Sequence, residues 1–330
     1  MPGAISIPPE RPVDLAFALV LESENLSQAD EKDLWACLQS LDRQRPTLED
    51  AAEILLLDNG HLQPAMADRL ARDFPWLTVK KISADARYAD IKASVHDLVQ
   101  SDIIVLCDSD CRYEPGWLRS ILQVFENDPE AEIVAGESTI DITGPYSLAI
   151  ALTYIFPRFS CETRPTPSPA YWANNVAMRR SLLNRTPPPR PDNVFRGDSH
   201  LYSAALRRAG VAIWRAPGAR AHHARPTLSE WPRRYFNLGR DASLLARMTR
   251  QVDGAAYRGD MARDADAQSQ AGKLLNRFRT IAARDPVQLI HLPLALPLIG
   301  MCALWYGLGR LAGQWTGTPA QTAAGHSTTG

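Results

Sequence analysis

Asp108 and Asp110 stand one residue apart at the end of a short apolar run, within SDIIVLCDSDCRYEPGWL (Ser101–Leu118). Ile103 to Cys107 has the composition of a strand buried on both faces. Glu114-Pro115-Gly116 then breaks the chain before a further apolar segment. Two carboxylates at the carboxyl end of a buried strand cannot both lose their charge into a core, and such strand ends are where open α/β sheets bind ligands. Paired there, they suit a hard divalent cation that keeps phosphate oxygens as its other partners. A turn whose Asp side chains cap the following backbone is the alternative. Downstream, ten arginines from Arg207 to Arg250 face only Glu230 and Asp241. That local excess suits a polyphosphate or an anionic membrane surface.

These groups need elements to hold them. Leu15 to Leu21 reads as a first buried strand, followed by the polar loop Glu22–Asn25, and Asp33 to Gln44 has the apolar spacing of a helix. Glu53 to Leu57 is a second buried strand, stopped by Asp58-Asn59-Gly60. A helix near Met66–Arg72, a strand near Leu77–Ile82 and a helix over Tyr88–Gln100 lead to the strand before Asp108. Strands alternating with helices predict an α/β fold, a mainly parallel sheet sandwiched by helices. Right-handed crossovers gather Glu22–Asn25, Asp58–Asn59 and Asp108–Asp110 at one sheet edge. Ala131–Ala135 and Val211–Trp214 read as further strands, and Asp198-Ser199-His200 opens a helix through Arg208. Asp198 could serve simply as its N-cap.

A formal net charge of −1 on 330 residues gives no global nucleic-acid signal. Five scattered cysteines without paired CxxC spacing argue against a disulfide framework or a structural zinc site. The N-terminus lacks a basic segment followed by an apolar run, so no cleaved signal is expected and the core should face a reducing cytoplasm. Leu289 to Leu308 is long and apolar, carries no full charge and is interrupted by Pro293 and Pro297. It is long enough to cross a bilayer, to lie in its surface, or to form a buried core helix. Lys273, Arg277, Arg279 and Arg284 before it place the main domain on the cytoplasmic side by the positive-inside rule. The expected organisation is a disordered 1–12, a catalytic domain over 13–250 and a polar helical linker over 251–286. A membrane-associated or transmembrane segment over 287–311 and a disordered tail over 312–330 complete it.

The ordered set EILLLDNG, IIVLCDSDCRYEPGWL, NNVAMRR, FRGDSHLYSAALRRAG and AHHARPTLSEWPRRYFNLGRD resembles family 2 glycosyltransferases of the GT-A fold, over roughly Asp14 to Arg247. The resemblance implies inverting transfer of a sugar from a nucleotide-diphosphate sugar. The acceptor would be lipid-linked or polysaccharide, at the cytoplasmic face of the plasma membrane, as in bacterial exopolysaccharide synthesis. It implies that Asp58 contacts the base, Asp108 lies near ribose and phosphates, and Asp110 ligates Mg²⁺ or Mn²⁺. Asp198 becomes the base that deprotonates the acceptor. His222, preferred over His223, completes the cation site; Arg234 and Arg240 clamp the diphosphate; Lys92 reaches the nucleotide; and Asn175 helps place the sugar. Two departures stand out. LVLESEN lacks the family's usual first-loop residues, and Gly197 replaces the Glu of its Glu-Asp pair, so a catalytically impaired membrane scaffold is the alternative. A haloacid-dehalogenase-type phosphohydrolase fits poorly, because Arg112 stands where those enzymes carry Thr.

Overall fold

The computed structural model describes residues 15–27, 31–45, 48–253 and 270–316. The stretch expected as disordered over 1–12, the middle of the expected linker and the chain beyond residue 316 lie outside the described residues. Among the described residues nine strands form one sheet: β1 (Phe17–Glu22), β2 (Glu53–Asp58), β3 (Thr78–Lys81), β4 (Ile103–Cys107), β5 (Cys111–Tyr113), β6 (Ile133–Thr139), β7 (Thr166–Pro167), β8 (Asn175–Arg179) and β9 (Ile213–His223). Their order is β3-β2-β1-β4-β8-β6-β9-β5, with β7 paired to β9. The first half, β3-β2-β1-β4, is parallel throughout. Beyond it β8 runs antiparallel to both β4 and β6, so the sheet is mixed.

Period-two alternation divides β1 and β4 between two cores. Phe17, Leu19, Leu21, Ile103, Val105 and Cys107 face one side. There they pack on α1 (Glu31–Asp42), α2 (Pro64–Asp73) and α4 (Trp117–Asn127). Ala18, Val20, Ile104 and Leu106 face the other. They meet α3 (Tyr88–Leu98), α6 (Arg180–Arg185) and α7 (Asp198–Arg208). A strand covered on both faces cannot alternate polar and apolar residues, which explains the unbroken apolar runs in the sequence.

A third helical layer closes the far end: α5 (Pro145–Thr153), α8 (Trp231–Asp253), α9 (Gln270–Arg284) and α10 (Leu292–Trp315). The described part of the stretch expected as a polar helical linker over 251–286 is helical and packs on the domain. The second half of that stretch is α9, which buries Ile281 against Leu148 and Leu152 of α5. Strand β9 also runs well past Trp214, and that extension carries both histidines of AHHARP to the ligand edge of the sheet.

Candidate active site

The carboxyl ends of β1, β2 and β4 meet as the crossover rule requires, and β9 arrives from the other half of the sheet. Glu22 ends β1 and is fully buried; both its oxygens accept from Asn25, from the backbone at 3.0 Å and from Nδ2 at 3.0 Å. Asp108 follows β4 and is fixed on every side. Lys92 Nζ lies 2.9 Å from its Oδ1, and the Tyr88 hydroxyl donates at 2.9 Å. Asp110 sits two residues on, also buried, with Asn25 Nδ2 3.3 Å from its Oδ1.

Consecutive residues of a strand point to opposite faces, so only one of the two histidines can meet Asp110, and it is His223. Its Nε2 lies 3.6 Å from Asp110 Oδ1. Its Nδ1 donates to the Ala224 carbonyl at 2.6 Å, which turns Nε2 toward the carboxylate. A ring nitrogen with its partner nitrogen on a backbone carbonyl is the usual posture of a metal-ligating imidazole. The 3.6 Å gap is too long for a direct hydrogen bond. His222, expected at the ion, is corrected here. It points away, between Asp141 Oδ1 at 2.5 Å and Glu114 Oε1 at 2.8 Å. Asp110, Cys111 and His223 bring ligand atoms within 4.8 Å of one another. Burial, with Asp110 and Asp108 nearby, pushes the Cys111 thiol well above its ordinary range. That leaves an oxygen and an imidazole, a donor set that a hard Mg²⁺ or Mn²⁺ accepts.

Asp198 is the first residue of α7, with Gly197 as the N-cap, so its side chain does not fill the capping position. Burial raises its carboxyl, against the pull of Arg196, the helix N-terminal amides and Lys92. The two aspartates of the pair diverge. Burial and Asp108 raise Asp110 despite His223, Arg234 and Arg196, whereas Lys92, His223 and Arg196 outweigh burial and lower Asp108.

Arg196, which sequence reasoning missed, links the two halves. Its guanidinium lies 3.6 Å from the Tyr88 ring centroid, and its Nη2 donates to Glu24 and to Asn25, each at 2.6 Å. Asp241 of α8 accepts its backbone N–H at 2.7 Å and so anchors the loop before Asp198. Its position two residues before Asp198 in FRGD was the available signal. Arg196 Nη1 and Arg234 Nε are buried without a hydrogen-bond partner among the described residues.

Several residues expected at the ligand make hydrogen bonds within the protein. Lys92 is buried beneath Asp108 and also donates to the Cys107 carbonyl at 2.7 Å, so it positions Asp108. Asp58 Oδ1 accepts from Ser23 Oγ, Gly60 N and Leu62 N at 2.7, 3.0 and 3.1 Å, shaping the loop. A cavity of about 290 Å³ opens beside it, lined by Asn59, His61, Arg87, Tyr88 and Phe195. Asn175 is consumed in the sheet: Nδ2 donates to Glu137 O and Ala219 O, each at 3.0 Å, and Oδ1 accepts from Trp117 Nε1 at 2.7 Å. Arg240 leans on Asp241 Oδ1 at 3.4 Å, and the charge of Arg234, on the same helix, acts on Asp110. At Gly197, φ is +121°, and an added Cβ would lie 2.4 Å from Leu245 Cδ1. The Glu expected there would therefore need a different backbone.

The model of "Glycosyl transferase family 2" matches residues 27–186. No curated protein sequence matches the chain. Among solved structures, the mannosyltransferase PcManGT from Pyrobaculum calidifontis, in complex with GDP-Man and Mn²⁺, is similar with a TM-score of 0.56 at 17% identity. The alignment covers 93% of this chain and 91% of that one. GalNAc-T7 with UDP, GalNAc and Mn²⁺ is similar with a TM-score of 0.50 at 13% identity. Here 83% of this chain is covered, and the chain spans only 58% of GalNAc-T7. Family match and fold agree: residues 27–186 match the family 2 glycosyl transferase model, and the chain has the mixed α/β GT-A fold of these solved structures.

Proposed function

We propose that the protein moves a sugar, with inversion, from a nucleoside-diphosphate sugar to a hydroxyl of a lipid-linked or polysaccharide acceptor at the cytoplasmic face of the membrane. The observation that carries this is the buried pairing of Asp110 with His223 at 3.6 Å, beside the loop Glu24–Asn25 that Arg196, two residues before Asp198, holds by its guanidinium. Asp110 and His223 would hold a divalent cation, whose charge when bound offsets the charge developing on the leaving diphosphate. Arg196 Nη1 and Arg234 Nε offer donors to phosphate oxygens. The 290 Å³ cavity beside Tyr88 and Asn59 fits the nucleoside end of the donor. Asp198 takes the proton of the attacking hydroxyl; one displacement at the anomeric carbon inverts it.

Thermal unfolding with UDP or GDP, each with and without Mn²⁺, tests this reading. A diphosphate at 100 times its dissociation constant should stabilise the fold by about 2.7 kcal/mol, and only with the cation present. Failure of every nucleoside diphosphate to stabilise it would favour the non-catalytic scaffold.

A further inference from the structure

Residues Pro286–Trp315 form one continuous helical rod, of which α10 is the larger part. At 1.5 Å per residue it is on the order of 45 Å long. One face is packed: Ala295, Cys302 and Gly309, seven residues apart, are buried against the domain. The contact is close. A Cβ on Gly309 would lie 1.9 Å from the Phe236 carbonyl oxygen, and one on Gly239 would lie 2.0 Å from that of Tyr306. Further round the helix the surface is bare. Val287, Leu294, Met301, Leu308 and Trp315 also recur at every seventh residue, and all are exposed, from 39% at Met301 to 88% at Trp315. A second exposed series from Ile290 to Leu311 runs beside it.

This surface is wider than the seam of a helix pair. Seams between soluble helices are flanked by charged residues, whereas every exposed residue between Asp285 and Arg310 is apolar. Exposed Arg284 and Arg310 flank it, and the neighbouring α9 adds exposed Arg279 and half-buried Lys273 against Asp285 alone; Arg277 turns inward, donating to the Leu152 and Ile155 carbonyls at 3.3 and 3.1 Å. An apolar face with cationic margins matches a lipid leaflet containing anionic headgroups.

We propose that this face seats the protein on an anionic leaflet, with the rod lying in the membrane plane and not crossing it. Crossing is opposed by what the other face holds. Helix α8 runs alongside α10 with Ser243 Oγ donating to the Arg310 carbonyl at 3.0 Å and Arg247 to that of Gln314 at 3.2 Å. The same helix carries Arg234 and Asp241, so a spanning rod would drag buried site charges to membrane depth, where ionised groups are costly. Lying flat, the bilayer surface is one helix layer, roughly 10 Å, beyond α8. The inference deepens the reading of a lipid-borne acceptor by naming the membrane contact beside its site.

Flotation of the full chain with vesicles of phosphatidylcholine, alone or mixed with phosphatidylglycerol, tests it. The native chain should float with the mixed vesicles. Leu304→Glu with Leu308→Glu should cut partitioning on the order of 100-fold, while Mn²⁺-dependent stabilisation by nucleoside diphosphate stays unchanged. In a Cys161→Ser background, Gln314→Cys on bound protein should react fully with an impermeant maleimide added outside. Unaltered flotation of the double variant would overturn the proposal. So would protection of Cys introduced at 314, which means spanning, or a soluble dimer that the double variant dissolves, which means a second copy covers the face. If docking holds but no nucleoside diphosphate binds, the reading of the catalytic site fails and the membrane contact stands.

Discussion

Asp198→Asn should lower kcat for sugar transfer by roughly 10²–10⁴-fold, the usual contribution of a positioned general base, while Mn²⁺-dependent donor binding persists. The substitution keeps the shape of the side chain and removes only the proton acceptor. Native pH dependence should carry the same signature. Burial sets Asp198 above the ordinary carboxylate range, and Arg196 only partly counters it. Below that raised value the carboxyl is protonated and cannot accept the hydroxyl proton. Turnover should therefore rise with pH through a limb displaced upward from an exposed aspartate's, and Asp198→Asn should lose that limb. If Asp198 merely started α7, the variant would change unfolding and leave the profile alone.

Asn175→Ala should destabilise the fold by about 3–9 kcal/mol. It strands three buried polar groups, Trp117 Nε1 and the carbonyls of Glu137 and Ala219. Leaving such a group unmade costs about 1–3 kcal/mol each. The site admits no easy repair, because β6 and β9 close tightly on it: a Cβ on Gly136 would lie 2.2 Å from Asn175 Oδ1 and 2.3 Å from the Ala219 carbonyl oxygen. A shift of the urea midpoint measures the loss. A sugar-placing role for Asn175 would instead raise KM at unchanged stability.

Much of the fold was legible because the strands of the first half are buried on both faces and therefore apolar without interruption. Phe17–Glu22, Glu53–Asp58 and Ile103–Cys107 all fall where the apolar runs place them, and each ends in the polar residues that meet at the sheet edge. The pair Asp108 and Asp110 was legible for the same reason. What stayed hidden depended on facing across the chain. Two adjacent histidines look alike in sequence, and only the pairing of β5 with β9, Cys111 opposite His223 and Arg112 opposite His222, decides which one meets Asp110. Lys92 is expected to reach the nucleotide, yet its helix turn rests on β4 and buries the amine under Asp108. Arg196 was overlooked because its partners, Glu24, Asn25 and Tyr88, lie more than a hundred residues upstream.

The account depends on His223, rather than its neighbour, sharing a cation with Asp110. Calorimetric titration of Mn²⁺ into the protein with a saturating nucleoside diphosphate, repeated with His223→Ala and His222→Ala, tests this directly. His223→Ala should weaken Mn²⁺ by roughly 10-fold or more, and His222→Ala should leave it unchanged. Intact Mn²⁺ affinity in His223→Ala, or its loss only in His222→Ala, would contradict the assignment.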